Sequence, residues 1–296
     1  MQEPEKLFNK ITVIGVGLIG ASLGLKCKLD GLTGEVVGVG RGVENLEDAL
    51  SLGAIDSYTH DATSGVKGSD LVVLATPVGS FDAIAKLIRP HLMSGTLVSD
   101  VGSVKGAVVE MLEKNMPPDV KFVGAHPIAG NEKSGAAHAD PGLFEGARCV
   151  LTPTADTDAD ALALLTELWK RMGARVTLLD PYEHDTILAA TSHLPQIATT
   201  TLVTSLEKLS GNDREILNYC GGGFRDTTRV ASSPPEMWRD ICLFNREKIL
   251  TTLKKFQELL GETEAAISRG DGEALMNMFQ SAKSFRDHLM ESEAGT

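Results

Sequence analysis

One stretch, Gly124-Ala125-His126-Pro127-Ile128-Ala129-Gly130-Asn131, places a histidine directly before a proline among small residues. Proline disfavours helical geometry in the residue before it, so His126 is expected to be extended, at the end of the strand-like run Lys121-Phe122-Val123. Imidazole titrates near pH 6.5 and can take a proton at neutral pH. An uncrowded ring suits that work, although the same pattern also fits a loop histidine bonded to main chain. A second histidine, His193, lies in Thr191-Ser192-His193-Leu194-Pro195 inside a helical pattern. Pro195 cannot donate to the Thr191 carbonyl, so a kink beside His193 is expected. His193 reads either as ligand-facing or as a satisfied core residue. Further on, Gly221-Gly222-Gly223-Phe224-Arg225-Asp226-Thr227-Thr228-Arg229 is expected to be a flexible turn followed by two cations. Arginine offers a planar fork for a carboxylate. Asp226 is better placed to orient Arg229 or to cap the next helix than to react. A plain solvated face would account for both arginines, but it would leave an anionic ligand without a partner.

A phosphate-bearing cofactor is the second chemistry on offer. Gly15-Val16-Gly17-Leu18-Ile19-Gly20 follows a β-branched run and opens a helical pattern. In that setting each glycine has a mechanical role: a tight turn, close approach of a pyrophosphate, and close helix–strand packing. The helix N-terminus after them presents free N–H groups. Thr76 and Pro77, after the run at 71–74, are expected to form the second cofactor wall. An NAD-selective site usually has an acidic residue at the end of the second strand. This chain has Gly40 followed by Arg41, which either accommodates a 2′-phosphate or is a solvated surface residue. The balance leans to NADP or dual NAD/NADP use. Ser103, in Asp100-Val101-Gly102-Ser103-Val104-Lys105, is expected at a helix N-terminus. There it could cap the helix, bond the substrate, or bond His126.

These residues need a frame. Up to residue 180, β-branched runs at 11–14, 36–39, 71–74, 96–98, 122–123, 149–151 and 176–179 alternate with amphipathic segments at 18–29, 43–52, 79–89, 104–115 and 157–172. Such alternation implies an α/β domain with a parallel sheet covered on both faces. Beyond it the patterns are helical, at 182–209, 235–261 and 271–290. The expected organisation is a Rossmann-like dinucleotide-binding domain over residues 1–180 and an all-α domain over 181–296. The net charge of -12 argues against nucleic acid or an anionic membrane as a partner, and no apolar run reaches membrane-span length. A small anionic substrate remains compatible, because clustered arginines can oppose the global sign. Cys27, Cys149, Cys220 and Cys242 show no metal-ligand or disulfide-like spacing, so reduced thiols in the cytoplasm, without a metal, are expected. The N-terminus lacks an apolar h-region, so no secretory leader is expected.

In their order, GVGLIGASLG, ATPV, SDVGSVK, GAHPIAGNEKSG, SHLPQ and GGGFRDTTRVASSPPEMWRD resemble the prephenate/arogenate (cyclohexadienyl) dehydrogenases over about residues 8–285. The resemblance implies an NAD(P)-dependent oxidoreductase of tyrosine biosynthesis. It would convert prephenate to 4-hydroxyphenylpyruvate, or arogenate to tyrosine, by oxidative decarboxylation. It further implies a helical dimerisation domain and a homodimer, with His126 as the catalytic base and Ser103 bonded to that histidine and to the reacting hydroxyl. His193 and Arg229 become substrate-binding residues, the arginine through a carboxylate, with Gly222 and Asp226 grouped beside them. Trp238 would reach toward the neighbouring subunit's site, or serve as a core aromatic. Prephenate and arogenate differ by a keto group against an ammonium, and Asn131 or Glu132 is the expected place for a discriminator. Two other readings compete: another β-hydroxyacid-type dehydrogenase, which would rely on a helix-borne lysine, and a non-catalytic dinucleotide-binding protein, which would have lost its reactive side chains.

Overall fold

The computed structural model describes residues 5–130, 133–211 and 214–294. Strands β1 (Phe8–Ile14), β2 (Thr33–Val39), β3 (Ser57–Thr59), β4 (Leu71–Leu74), β5 (Leu97–Asp100), β6 (Lys121–Ile128), β7 (Arg148–Thr152) and β8 (Arg175–Leu178) form one sheet. Their order is β3-β2-β1-β4-β5-β6-β7-β8. The first six follow the dinucleotide-binding order, with its switch point between β1 and β4, where two neighbouring strand ends open a crevice. Helices α1 (Leu18–Leu29), α2 (Val43–Ser51), α3 (Ala62–Gly65), α4 (Phe81–Ile88), α5 (Gly106–Asn115) and α6 (Ala159–Arg171) cover the sheet. After them come α7 (Pro181–Leu188), α8 (Leu194–Ser210), α9 (Gly222–Thr228), α10 (Pro235–Phe244), α11 (Arg246–Arg269) and α12 (Gly272–Ala294). The chain divides into two compact units between Lys248 and Ile249. No helix among the described residues is long and apolar enough to cross a membrane.

Strand residues alternate between faces, and in β4 all four are apolar because both faces are covered. Leu71 and Val73 join one cluster with Ile11, Leu23 and Trp169, while Val72 and Leu74 join another with Phe81, Val108 and Leu112. This two-sided burial explains why a continuous β-branched run here makes a strand.

The sheet is not wholly parallel, as the alternation alone suggested. β6 runs parallel to β5 through Lys121–Val123, then pairs antiparallel with β7 through Gly124–Ile128. His126 therefore lies within a strand, opposite Val150, and not in a loop after Val123. Pro127 is tolerated late in the strand, and β6 continues because it changes partner where β5 ends at Asp100. The three-residue edge strand β3 carries no β-branched run, so the sequence pattern does not reveal it. The expected helix over 182–209 is broken as the sequence required, but by a π-helical turn at Ala189–His193, with Pro195 in the first turn of α8. The wider turn absorbs the donor that proline lacks. The triple glycine is less of a turn than expected: Gly221 is an extended N-cap, and α9 starts at Gly222. The pattern over 235–261 is two helices separated at Asn245.

Candidate active site

The crevice begins at the loop after β1. Gly15 has φ +101°, and a Cβ there would stand 2.6 Å from the Ala75 carbonyl carbon, so the loops after β1 and β4 approach as only glycine allows. A Cβ on Gly20 would collide with the Gly15 carbonyl and the Val13 side chain. At Gly17, by contrast, a Cβ would meet nothing within 4 Å. Gly17 is the N-cap of α1 and has no side-chain cap, and the first turn carries no acidic residue. Free N–H groups at the positive end of a 12-residue helix thus face open space. These residues fit a pyrophosphate: Gly15 and Gly20 for packing, Gly17, Leu18 and Ile19 for its approach. Asn45 fastens this loop by donating to the Val16 carbonyl and accepting from Ala136 N at 2.7 Å.

At the β4 end, Thr76 Oγ1 shares a hydrogen bond with Ser80 Oγ (2.7 Å), and Ser80 donates to the Pro77 carbonyl (2.8 Å). Gly79 N donates to Asp240 Oδ2 of α10 (3.1 Å), which ties a helical segment to the crevice wall. Arg41 is exposed after β2, beside Gly40, whose carbonyl is bonded to His60 Nδ1 at 2.7 Å.

The strand bearing His126 enters the same crevice. Past β6, Gly130 has φ +118°, and a Cβ on it would stand 3.6 Å from Ile19 Cδ1. The segment after the histidine therefore lies against the start of α1. His126 is 7 % exposed, and burial, reinforced by His184, Lys105 and His193 nearby, holds its pKa well below 6.5. It is neutral at pH 7. Its Nδ1 stands 2.8 Å from His184 Nε2, and His184 Nδ1 stands 2.8 Å from Asp185 Oδ1. Asp185 also accepts from Lys105 N and Gly106 N, both at 2.8 Å, at the head of α5. Beneath them Lys105 and Asp100 form a fully buried ion pair. Asp100 further accepts from Gly102 N (2.7 Å) and Ala125 N (3.2 Å).

His193 is fully buried, and burial lowers its pKa to about 4. Asn245 Nδ2 donates to the Asp185 carbonyl (2.8 Å) and approaches His193 Nδ1 at 3.1 Å, so that nitrogen must be the acceptor and Nε2 carries the hydrogen. Among the described residues neither His193 Nε2 nor Nε1 of Trp238 has a partner in good hydrogen-bond geometry, and the Trp238 ring meets His193 edge-on at 6.0 Å. Two buried N–H donors without a well-placed acceptor among the described residues could both donate to ligand oxygens.

Residues 23–178 match the family profile described as prephenate dehydrogenase, nucleotide-binding domain, and residues 180–281 match prephenate dehydrogenase, dimerization domain. The chain belongs to the prephenate dehydrogenase family. It is 36 % identical to prephenate dehydrogenase of Bacillus subtilis over 97 % of this chain and 78 % of that one. It is 35 % identical to cyclohexadienyl dehydrogenase of Zymomonas mobilis over 95 % of this chain and 96 % of that one. The crystal structure of prephenate dehydrogenase from A. aeolicus in complex with hydroxyphenyl propionate and NAD+ superposes with a TM-score of 0.88. It shares 35 % identity, and the match covers 95 % of this chain and 98 % of that one. The chain is thus an oxidoreductase with a nucleotide-binding domain of Rossmann type followed by a helical segment.

Within this prephenate dehydrogenase frame, His126, His193 and Trp238 are brought together. The Ser103 main chain faces the His193 ring. Ser103 does not cap α5, as one reading of the sequence had it: the helix starts at Gly106 with Lys105 as N-cap, and the distant Asp185 carboxylate takes the free N–H groups. Gly222, Asp226 and Arg229 are exposed along α9 and its end. That segment is held to α8 by Gln196 Nε2 donating to the Val230 carbonyl at 3.0 Å, one turn from His193. Asn131 and Glu132 lie outside the described residues. Sequence reasoning missed His184, Asp185 and Asn245. The signal was there for the first two: the buried stripe of α7 is Pro181, His184, Asp185 and Leu188, so two polar residues occupy a face that apolar side chains normally fill.

Proposed function

We propose that the chain catalyses the NAD(P)-dependent oxidative decarboxylation of prephenate, of arogenate, or of both, with His126 as the base. The observation that carries this reading is a neutral, buried His126 on a strand that continues past the parallel sheet's end, into the crevice that holds the glycine loop. Substrate oxidation requires a hydride to leave C4 and a proton to leave the C4 hydroxyl; loss of carbon dioxide then aromatises the ring. The bound dinucleotide supplies the hydride acceptor. His126 accepts the hydroxyl proton, and Ser103 orients the hydroxyl. The Nε2–H of His193 and the indole N–H of Trp238 donate to substrate oxygens. Arg229 binds a carboxylate, with Asp226 and Gly222 shaping its approach. Neutral His193 serves as a donor across the physiological range, since its pKa near 4 keeps it uncharged.

The reading includes a homodimer formed through the helical part, a functional boundary near residue 180, and a cytoplasmic setting. It is tested by following nicotinamide reduction with each substrate crossed against NAD and NADP. Turnover of at least one pair is expected, and none with any pair would overturn the reading. The finer cofactor proposal is NADP or dual use through Arg41. Arg41→Asp should shift the kcat/KM ratio toward NAD by about tenfold or more, because a 2′-phosphate loses its cation and meets a carboxylate. An unchanged ratio would make Arg41 a surface residue only. Arg229→Ala should raise substrate KM by about tenfold or more, equivalent to about 1.4 kcal/mol, with cofactor KM unchanged. An unaltered substrate KM would remove Arg229 from the site.

A further inference from the structure

We propose that His184 and Asp185 are positioning residues that fix which nitrogen of His126 takes the substrate proton and accept the positive charge that results. The inference rests on His126 being the base and adds a function for two buried residues that stand behind it in a hydrogen-bonded row.

Asp185 anchors the row. Its Oδ1 accepts from Lys105 N and its Oδ2 from Gly106 N, at the positive end of the 10-residue helix α5. With N–H donors on both oxygens, the carboxylate acts only as an acceptor. His184 Nδ1, 2.8 Å from Oδ1, must therefore carry a hydrogen. His184 is fully buried, and burial outweighs the aspartate in lowering its pKa, so the ring is neutral and Nε2 keeps its lone pair. That lone pair faces His126 Nδ1 at 2.8 Å. His126 Nδ1 is then the donor, and His126 Nε2 is left bare. Each step leaves one choice, so the tautomer of the base is dictated by a carboxylate two residues removed from it.

The same chain handles charge. As the C4 hydroxyl O–H bond breaks, a bond forms between that proton and His126 Nε2. The Nδ1 proton can then cross to His184 Nε2, which leaves His126 neutral and His184 cationic against the Asp185 carboxylate. The site needs such an outlet. Among the described residues, the groups facing His126 are the Lys105 ammonium, already paired with Asp100, from the β5–α5 connection, and the neutral rings of His184 and His193. None of these carries an unpaired negative charge, whereas the Asp185 carboxylate stands one ring away.

A purely structural pair would also pack edge-on, as these rings do at 5.1 Å. His184→Leu and His184→Gln in the full chain separate the two roles. Leucine offers Nδ1–H no acceptor, whereas the glutamine amide oxygen can restore one. His184→Leu should lower kcat by about 100-fold or more. Substrate KM and cofactor Kd should stay within about threefold, the pattern of an interaction made in the transition state. His184→Gln should recover about tenfold or more over leucine. Nitrogen-15 NMR of histidine-labelled wild-type protein should show His126 protonated at Nδ1 and bare at Nε2, a readout that stands even if a variant fails to fold. A leucine variant with near wild-type kcat, a glutamine variant no better than leucine, or an Nε2–H tautomer of His126 would each overturn the proposal. His126→Ala keeps the two readings apart. If it stays active, the base assignment fails; if it is inactive while His184→Leu is not, only the relay fails.

Discussion

Replacing His126 with alanine is expected to lower kcat by about 10²–10⁴-fold, the usual contribution of a positioned general base. Dinucleotide affinity should hold, because the pyrophosphate cradle is built from main chain at Gly15–Gly20 and the free end of α1, not from the histidine. The accompanying pH profile has a definite sign. His126 works only as the neutral ring, and its pKa lies well below 6.5 because burial opposes the charged form. In wild type, kcat/KM should therefore be level from above pH 6.5 down through it, and fall only at more acid pH as the ring gains a proton. In the alanine variant the residual rate should lose that acid limb. A wild-type limb centred at or above pH 6.5, or substantial turnover by the variant, would remove His126 as the base.

The second large effect concerns stability. Lys105→Met should destabilise the fold by about 3–5 kcal/mol, because it strands the Asp100 carboxylate, wholly buried, without its cation. Denaturant unfolding monitored by circular dichroism measures this as a lower midpoint at constant slope. The paired variant Asp100→Asn with Lys105→Met should recover much of the loss, since asparagine keeps a carbonyl oxygen for the N–H of Ala125 and removes the stranded charge. A single variant within about 1 kcal/mol of wild type, well below what breaking a buried pair costs, would show the ion pair to be dispensable.

Which parts of this were legible from sequence follows from how far apart the deciding residues are. The glycine loop, β4 and the run of strands declared themselves because their causes are local: Gly15 must turn, and Leu71–Leu74 must be buried on both faces. His126 was legible as a type of residue but not as a strand residue. Its conformation depends on β7, more than twenty positions later, and on β6 exchanging partners. Ser103 looked like a cap because serine near a helix start usually is one; the actual cap, Asp185, stands 80 residues away from Lys105 in sequence. Asn245 looked like one more residue within a helical pattern, although it separates α10 from α11 and sets the tautomer of His193. Local chemistry was readable, and long-range hydrogen bonds were not.

The change of partner along β6 constrains indels more than substitutions. Val123 and Ala125 pack into the cluster that contains Trp169, whereas Phe122 belongs to the opposite one, so His126 shares the opposite face with Phe122. Antiparallel pairing of His126 with Val150 makes β7 the ruler that sets this parity. A one-residue slip of β6 would turn the imidazole into apolar side chains and present its small neighbours to the crevice. One residue added between Val123 and His126, after the half of β6 that is paired with β5, would thus rotate the base out of the site without altering any residue in it.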